Sequence, residues 1–256
     1  IYAVQFLAAM VGKKFVPGVM ADANGSFILL MLTMYGISMP FMGWLVSRIP
    51  AQKIEERKMT AGQWIIAFLM CYGLMYAGNL IGTALTFGIG MVKGTGVDNP
   101  LVSTVMQLNP WVTFVIAVLI APTAEELLFR KLLTERIVKY GELAAVLASG
   151  LFFGLFHGNL NQFSYAFLLG LFLGFIYVKT GKLRYTIGLH MAINFIGSSL
   201  GTWMLRVTGY MDTMETLTKF LNTKDLTVLA DLGNGIVGMF IFGSYASLIL
   251  MMAGAG

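Results

Sequence analysis

Charge is what this chain has least of. Asp, Glu, Lys and Arg make up only 11% of its 256 residues, where a soluble domain of this length carries about 25%. With 57% hydrophobic residues and a mean hydropathy of +0.79, that deficit excludes a soluble globular domain and points to a polytopic membrane protein. The single cysteine, Cys71, excludes an internal disulfide; set in an apolar stretch, it reads as packing. Histidine is nearly absent too: His157 and His190 are the only two, so chemistry that needs an imidazole has two places to go. There is no internal repeat, no low-complexity tract and no separate soluble domain. Residues 1–256 therefore read as one integral membrane domain.

What is present in abundance is apolar sequence interrupted by glycine. The 30 glycines fit helices packed closely in lipid. A span takes about 20 apolar residues, and candidates run over 26–47, 62–92, 110–133, 142–157, 163–178, 183–205 and 231–253. Residues 1–12 read as the remaining part of one more, giving an all-α transmembrane bundle of about eight spans. A start at Ile1 and an end in an apolar run leave room for further sequence on either side. Three connections hold 11 of the 17 Lys and Arg residues: Arg48, Lys53, Arg57 and Lys58; then Arg130, Lys131, Arg136 and Lys139; then Lys179, Lys182 and Arg184. Basic connections face the cytosol, which places both termini there, in the plasma membrane if the source is prokaryotic. This bias also accounts for the net charge of +5, and no nucleic-acid partner is expected. The polar insert 207–227 reads as a solvated loop, with a short amphipathic helix on the outer surface or a lid as the two forms it can take.

Three polar constellations stand out against this background. Glu125 and Glu126 lie side by side in a candidate span, and an ionised carboxylate there costs roughly 2.5 to 3.5 kcal/mol. Glu126 and Arg130 are four residues apart and share a helix face. Glu125 is turned about 100° away, so one acid can be neutralised while its neighbour faces a cavity as base or ligand. Pro122 removes a backbone donor and tends to kink the helix. The plainer account pairs both acids with Arg130, Lys131 or Arg136 near the cytosolic end. Phe153 and His157 form the second constellation, one helical turn apart, with Gly150 and Gly154 as a small-residue packing surface. His190 and Asn194 form the third, again one turn apart. Asn can donate to an oxyanion, and His can donate, bind a metal or shuttle a proton. Both can equally serve as interhelical glue.

Glu125-Glu126-x-x-x-Arg130, Phe153-x-x-x-His157 and His190-x-x-x-Asn194, in that order, resemble the three motifs of the CPBP family, the CAAX proteases and bacteriocin-processing enzymes. The stretch from Gly181 to His190 is similar as well. The resemblance covers residues 110–197, the expected catalytic core. It implies an intramembrane endopeptidase: Glu125, with His157 beside it, activates a water, while His190 and Asn194 stabilise the oxyanion or orient the site. Glu126, Arg130 and Phe153 take supporting roles. The resemblance leaves metal use open between no metal and one divalent ion, zinc if any, held by Glu125, His157 and His190. The implied substrate is a hydrophobic or lipidated peptide met within the bilayer.

Other intramembrane protease signatures are missing. There is no His-Glu-x-x-His and no Gly-x-Gly-Asp. Two non-proteolytic readings stay open: a membrane protein that binds a partner, as an immunity protein does, and a proton- or ion-coupled transporter. The lack of a repeat weighs against the transporter. One expectation is internally strained. With the cytosol at Tyr140, His157 lies about 25 Å along its helix while Glu125 and His190 lie nearer the cytosolic half, so convergence requires a strong tilt, a helix that begins below the membrane surface, or other span boundaries. The polar stretch 158–162 then reads as either an outer loop or backbone lining a cavity.

Overall fold

The computed structural model of the chain describes residues 1–94, 100–227, 232 and 235–256, with backbone only for 100–103. All regular elements among the described residues are helices. In chain order they are α1 (Tyr2–Phe15), α2 (Pro17–Ala21), α3 (Ala23–Ser47), α4 (Ala61–Lys93), α5 (Pro100–Gln107), α6 (Pro110–Tyr140), α7 (Glu142–Phe156) and α8 (Leu160–Thr180). They continue as α9 (residues 183–207), α10 (Tyr210–Thr223) and α11 (Gly235–Ala255). Five are long and apolar enough to cross a membrane: α3, α4, α6, α8 and α11. The expectation of eight spans is thus met by five on length and apolarity. Apolar α7 has 15 residues, about 22 Å of helix, and α1 has 14. Asp231, the expected start of the last span, lies outside the described residues.

Four stretches within these helices are π-helical: 34–38 in α3, 114–120 and 127–134 in α6, and 195–200 in α9. Two of them end two residues before a proline, Pro40 and Pro122. A proline ring clashes with the carbonyl four residues back, and a widened turn relieves that clash while keeping the helix continuous. The register is visible in the bonds, since Met39 donates to Met34 and Ala121 to Ile116, five residues back in each case.

α7 and α8 form a tight antiparallel hairpin. Its closeness depends on missing side chains: a methyl on Gly150 would meet Leu171 at 2.6 Å, and one on Gly154 would meet Phe167 at 3.0 Å. The turn between them is short. Gly158 takes a left-handed φ of 60°, which glycine adopts without strain, and Asn159 caps α8 through the Asn161 amide. The polar stretch 158–162 is therefore a turn and the first residues of a helix. Two apolar clusters flank the middle of the bundle. One joins Cys71 and Tyr72 of α4 to Leu173 of α8 and Leu189 of α9. The other joins Met34 of α3, Phe129 of α6 and Phe153 of α7.

The three basic connections meet at one end. The extended segment after α3 lies across the helix ends, with Gln52 N–H donating to the Glu135 carbonyl and Arg57 N–H to that of Thr180. Arg136 reaches the Ser47 carbonyl, Lys182 pairs with Glu56, and Lys179 pairs with Glu142. α6 runs on past Leu133 to Tyr140, which removes the strain noted above. Glu125 lies fifteen residues before Tyr140, and His157 lies fifteen after Glu142, so the two come level.

Candidate active site

Glu125 and Glu126 sit at the midpoint of α6, between its two π-helical stretches. Both are buried, Glu126 completely. As the spacing predicts, Glu126 pairs with Arg130: Nε lies 2.9 Å from Oε2, with neither side chain exposed. The pair is an ionic contact out of hydrogen-bond alignment, and Nη1 and Nη2 of Arg130 find no acceptor among the described residues. The guanidinium instead lies over the Phe153 ring, 4.6 Å from its centroid, a cation–π contact that is strongest where water is excluded.

His190 enters from α9 between the two acids. Its Nδ1 is 3.0 Å from Oε1 of Glu126 and its Nε2 is 3.8 Å from Oε2 of Glu125. A carboxylate only accepts, so Nδ1 carries a proton, and Nε2, the nitrogen turned to Glu125, is able to take a second one. The imidazole is thus oriented by one acid and presented to the other. Phe153 packs its edge or face against both histidines, 5.0 Å from His157 and 5.5 Å from His190. His157 caps the end of α7, with Nδ1 2.9 Å from the Phe153 carbonyl. That carbonyl only accepts, so here too Nδ1 is protonated and Nε2 is left free.

Asn194 has a different partner from the expected oxyanion. Its Nδ2 donates to the Ala117 carbonyl at 2.8 Å. In the five-residue register of this stretch, the next donor to Ala117 would be residue 122, a proline with no N–H. Asn194 supplies the bond that Pro122 cannot make. One of its two amide hydrogens remains uncommitted.

One residue was missed in the sequence. Tyr35, in the π-helical stretch of α3, donates its hydroxyl to Oε1 of Glu125 at 2.9 Å. A tyrosine in an apolar span looks like any interfacial aromatic. The only faint signal is that Tyr35 precedes Pro40 by five residues, as Ala117 precedes Pro122. Tyr35 also lines a cavity of about 450 Å³ between α3 and α6, walled by Leu32, Trp111, Ile116 and Ile120 and almost wholly apolar. Among the described residues, no three His, Cys, Asp or Glu side chains are grouped so as to hold a metal ion.

Apolar helices of membrane-crossing length, closing on buried acids and imidazoles, define an integral membrane protein with a polar centre. Residues 107–196 match the family model described as type II CAAX prenyl endopeptidase Rce1-like. The matched stretch carries all three motifs, so the match agrees with the family that the motifs resemble. No curated protein and no solved structure matches the chain.

Proposed function

We propose that the chain is an intramembrane endopeptidase that hydrolyses a peptide bond in a hydrophobic, lipidated or membrane-anchored substrate. The observation that carries this reading is the 3.8 Å gap between Oε2 of Glu125 and Nε2 of His190, two buried groups too far apart to bond directly and suitably spaced to hold one water between them. Glu125 takes a proton from that water as its oxygen adds to the scissile carbonyl. His157, with Nε2 free, helps orient the water. His190 in its doubly protonated form, held through Nδ1–H by Glu126, donates from Nε2 to the oxyanion, and the second amide hydrogen of Asn194 serves the same oxygen. As the C–N bond breaks, Glu125 returns the proton to the leaving amine, so acid and amine account for the water consumed. Arg130 and Phe153 hold Glu126 and the two imidazoles in place.

The apolar cavity beside Tyr35 supports a hydrophobic substrate, since such a groove desolvates a chain that polar lining would reject. On the positive-inside rule the basic end of the bundle and both termini face the cytosol, in the plasma membrane if the source is prokaryotic. No step above runs through a metal. A divalent ion, zinc foremost, would have to draw Glu125, His157 and His190 closer together than they stand.

The test compares wild type with Glu125→Gln in liposomes. Each receives a mixed library of farnesylated and unmodified peptides, with and without chelator, read by mass spectrometry. Wild type is expected to cleave and the variant to lose at least about a thousandfold in rate, while both elute as folded protein. Equal cleavage by the two, or cleavage of soluble hydrophilic peptides only, would refute the proposal.

A further inference from the structure

The reading above leaves one polar contact at the centre without a role. α3 lies outside residues 107–196, yet it sends one hydroxyl to the proposed base. Tyr35 donates to Oε1 of Glu125 at 2.9 Å, while the other oxygen, Oε2, is the one that faces His190. The two oxygens of the carboxylate are thus differentiated: one is occupied, and one is left toward the gap. The backbone that aims the hydroxyl is special too, because Tyr35 sits in a π-helical turn completed by the Met39 to Met34 bond just before Pro40. Its ring meanwhile forms part of the apolar cavity wall.

We infer that Tyr35 is a positioning residue: it fixes the rotamer of Glu125 so that Oε2 alone addresses the water, at the point where the apolar groove meets the acid. This rests on the endopeptidase reading for its consequence in catalysis, but the hold on Glu125 itself does not. A carboxylate free to turn about its terminal torsion spends time with neither oxygen at the gap, and misplacement of a reacting group by about 1 Å can cost a hundredfold in rate. Tyr35→Phe keeps the ring and the cavity wall and removes only the donor. Its turnover number is therefore expected to fall about ten- to hundredfold, with KM within about twofold of wild type because uniform substrate binding is untouched. Leu32→Trp, which fills the same cavity away from Glu125, is expected to act through KM instead.

The experiment measures kcat and KM for both variants, each checked for folding by size exclusion and thermal unfolding in detergent. In parallel, infrared spectra locate the Glu125 carboxyl band, assigned by its loss in Glu125→Gln. The band is expected to shift in Tyr35→Phe. An unmoved band, or a wild-type turnover number in Tyr35→Phe, overturns the inference while wild-type cleavage still supports the protease. If wild type cleaves nothing, the endopeptidase reading fails on its own, and the band alone decides whether Tyr35 holds Glu125.

Discussion

Two ion pairs of the same spacing lie on one helix, five residues apart. Glu126 and Arg130 meet at 2.9 Å with both side chains fully buried. Lys131 and Glu135 meet at 2.7 Å at the basic end of the bundle, where the lysine is 45% exposed. The outer pair anchors a helix end: Glu135 also accepts from the Tyr177 hydroxyl, and its carbonyl holds the strap through Gln52. The inner pair has no such economy, because removing two charges from water costs several kcal/mol per ion and an apolar pair would do as well. Identical sequence spacing thus supports two different purposes. What separates them is depth and what else the acid touches, which for Glu126 is His190.

The comparison breaks most visibly at the inner pair. Arg130→Ala strands a buried carboxylate and should destabilise the protein by about 3 to 5 kcal/mol, with turnover lost. The double replacement Glu126→Leu with Arg130→Met should recover most of that stability and none of the turnover, since His190 has lost the acid that orients it. Thermal unfolding in detergent beside a cleavage assay reads both, and a cleaving double variant would make the pair purely architectural. A smaller effect is expected at Asn194. Asn194→Ala leaves the Ala117 carbonyl without a donor and should cost about 1 to 3 kcal/mol. In a Pro122→Ala background the backbone regains its own N–H, so the cost should shrink; costs that simply add would refute the substitution of one donor for the other. The outer pair should matter least. Lys131→Ala is expected to change stability by less than about 1 kcal/mol and to leave turnover unaltered.

The contrast also marks how far the sequence could be read. Apolar runs located the main helices, and the four-residue spacing from Glu126 to Arg130 gave the pair directly, because an α-helix repeats close to that interval. The end of α6 was not legible. Hydropathy falls at Arg130 and Lys131, yet helical hydrogen bonds do not require apolar side chains, so the helix continues to Tyr140. That extension is what brings Glu125 level with His157. Nor could periodicity anticipate π-helical turns, which shift every later residue around the axis. Tyr35 lies inside one such turn, and Asn194 bonds to a carbonyl inside another, that of Ala117. The pairing of His190 with Glu126 depends on how two helices cross, a tertiary fact with no local signature.

His190 and Asn194 lie one turn apart on α9 and grip α6 at two places, Glu126 and the Ala117 carbonyl. In kinematic terms two separated grips remove both sliding and rolling: neither helix can translate along the other or spin about its own axis without breaking one of them. The assembly of α6 and α9 therefore behaves as a fixed jaw. α3 borders the groove from the other side, outside residues 107–196, and reaches the proposed base through the Tyr35 hydroxyl.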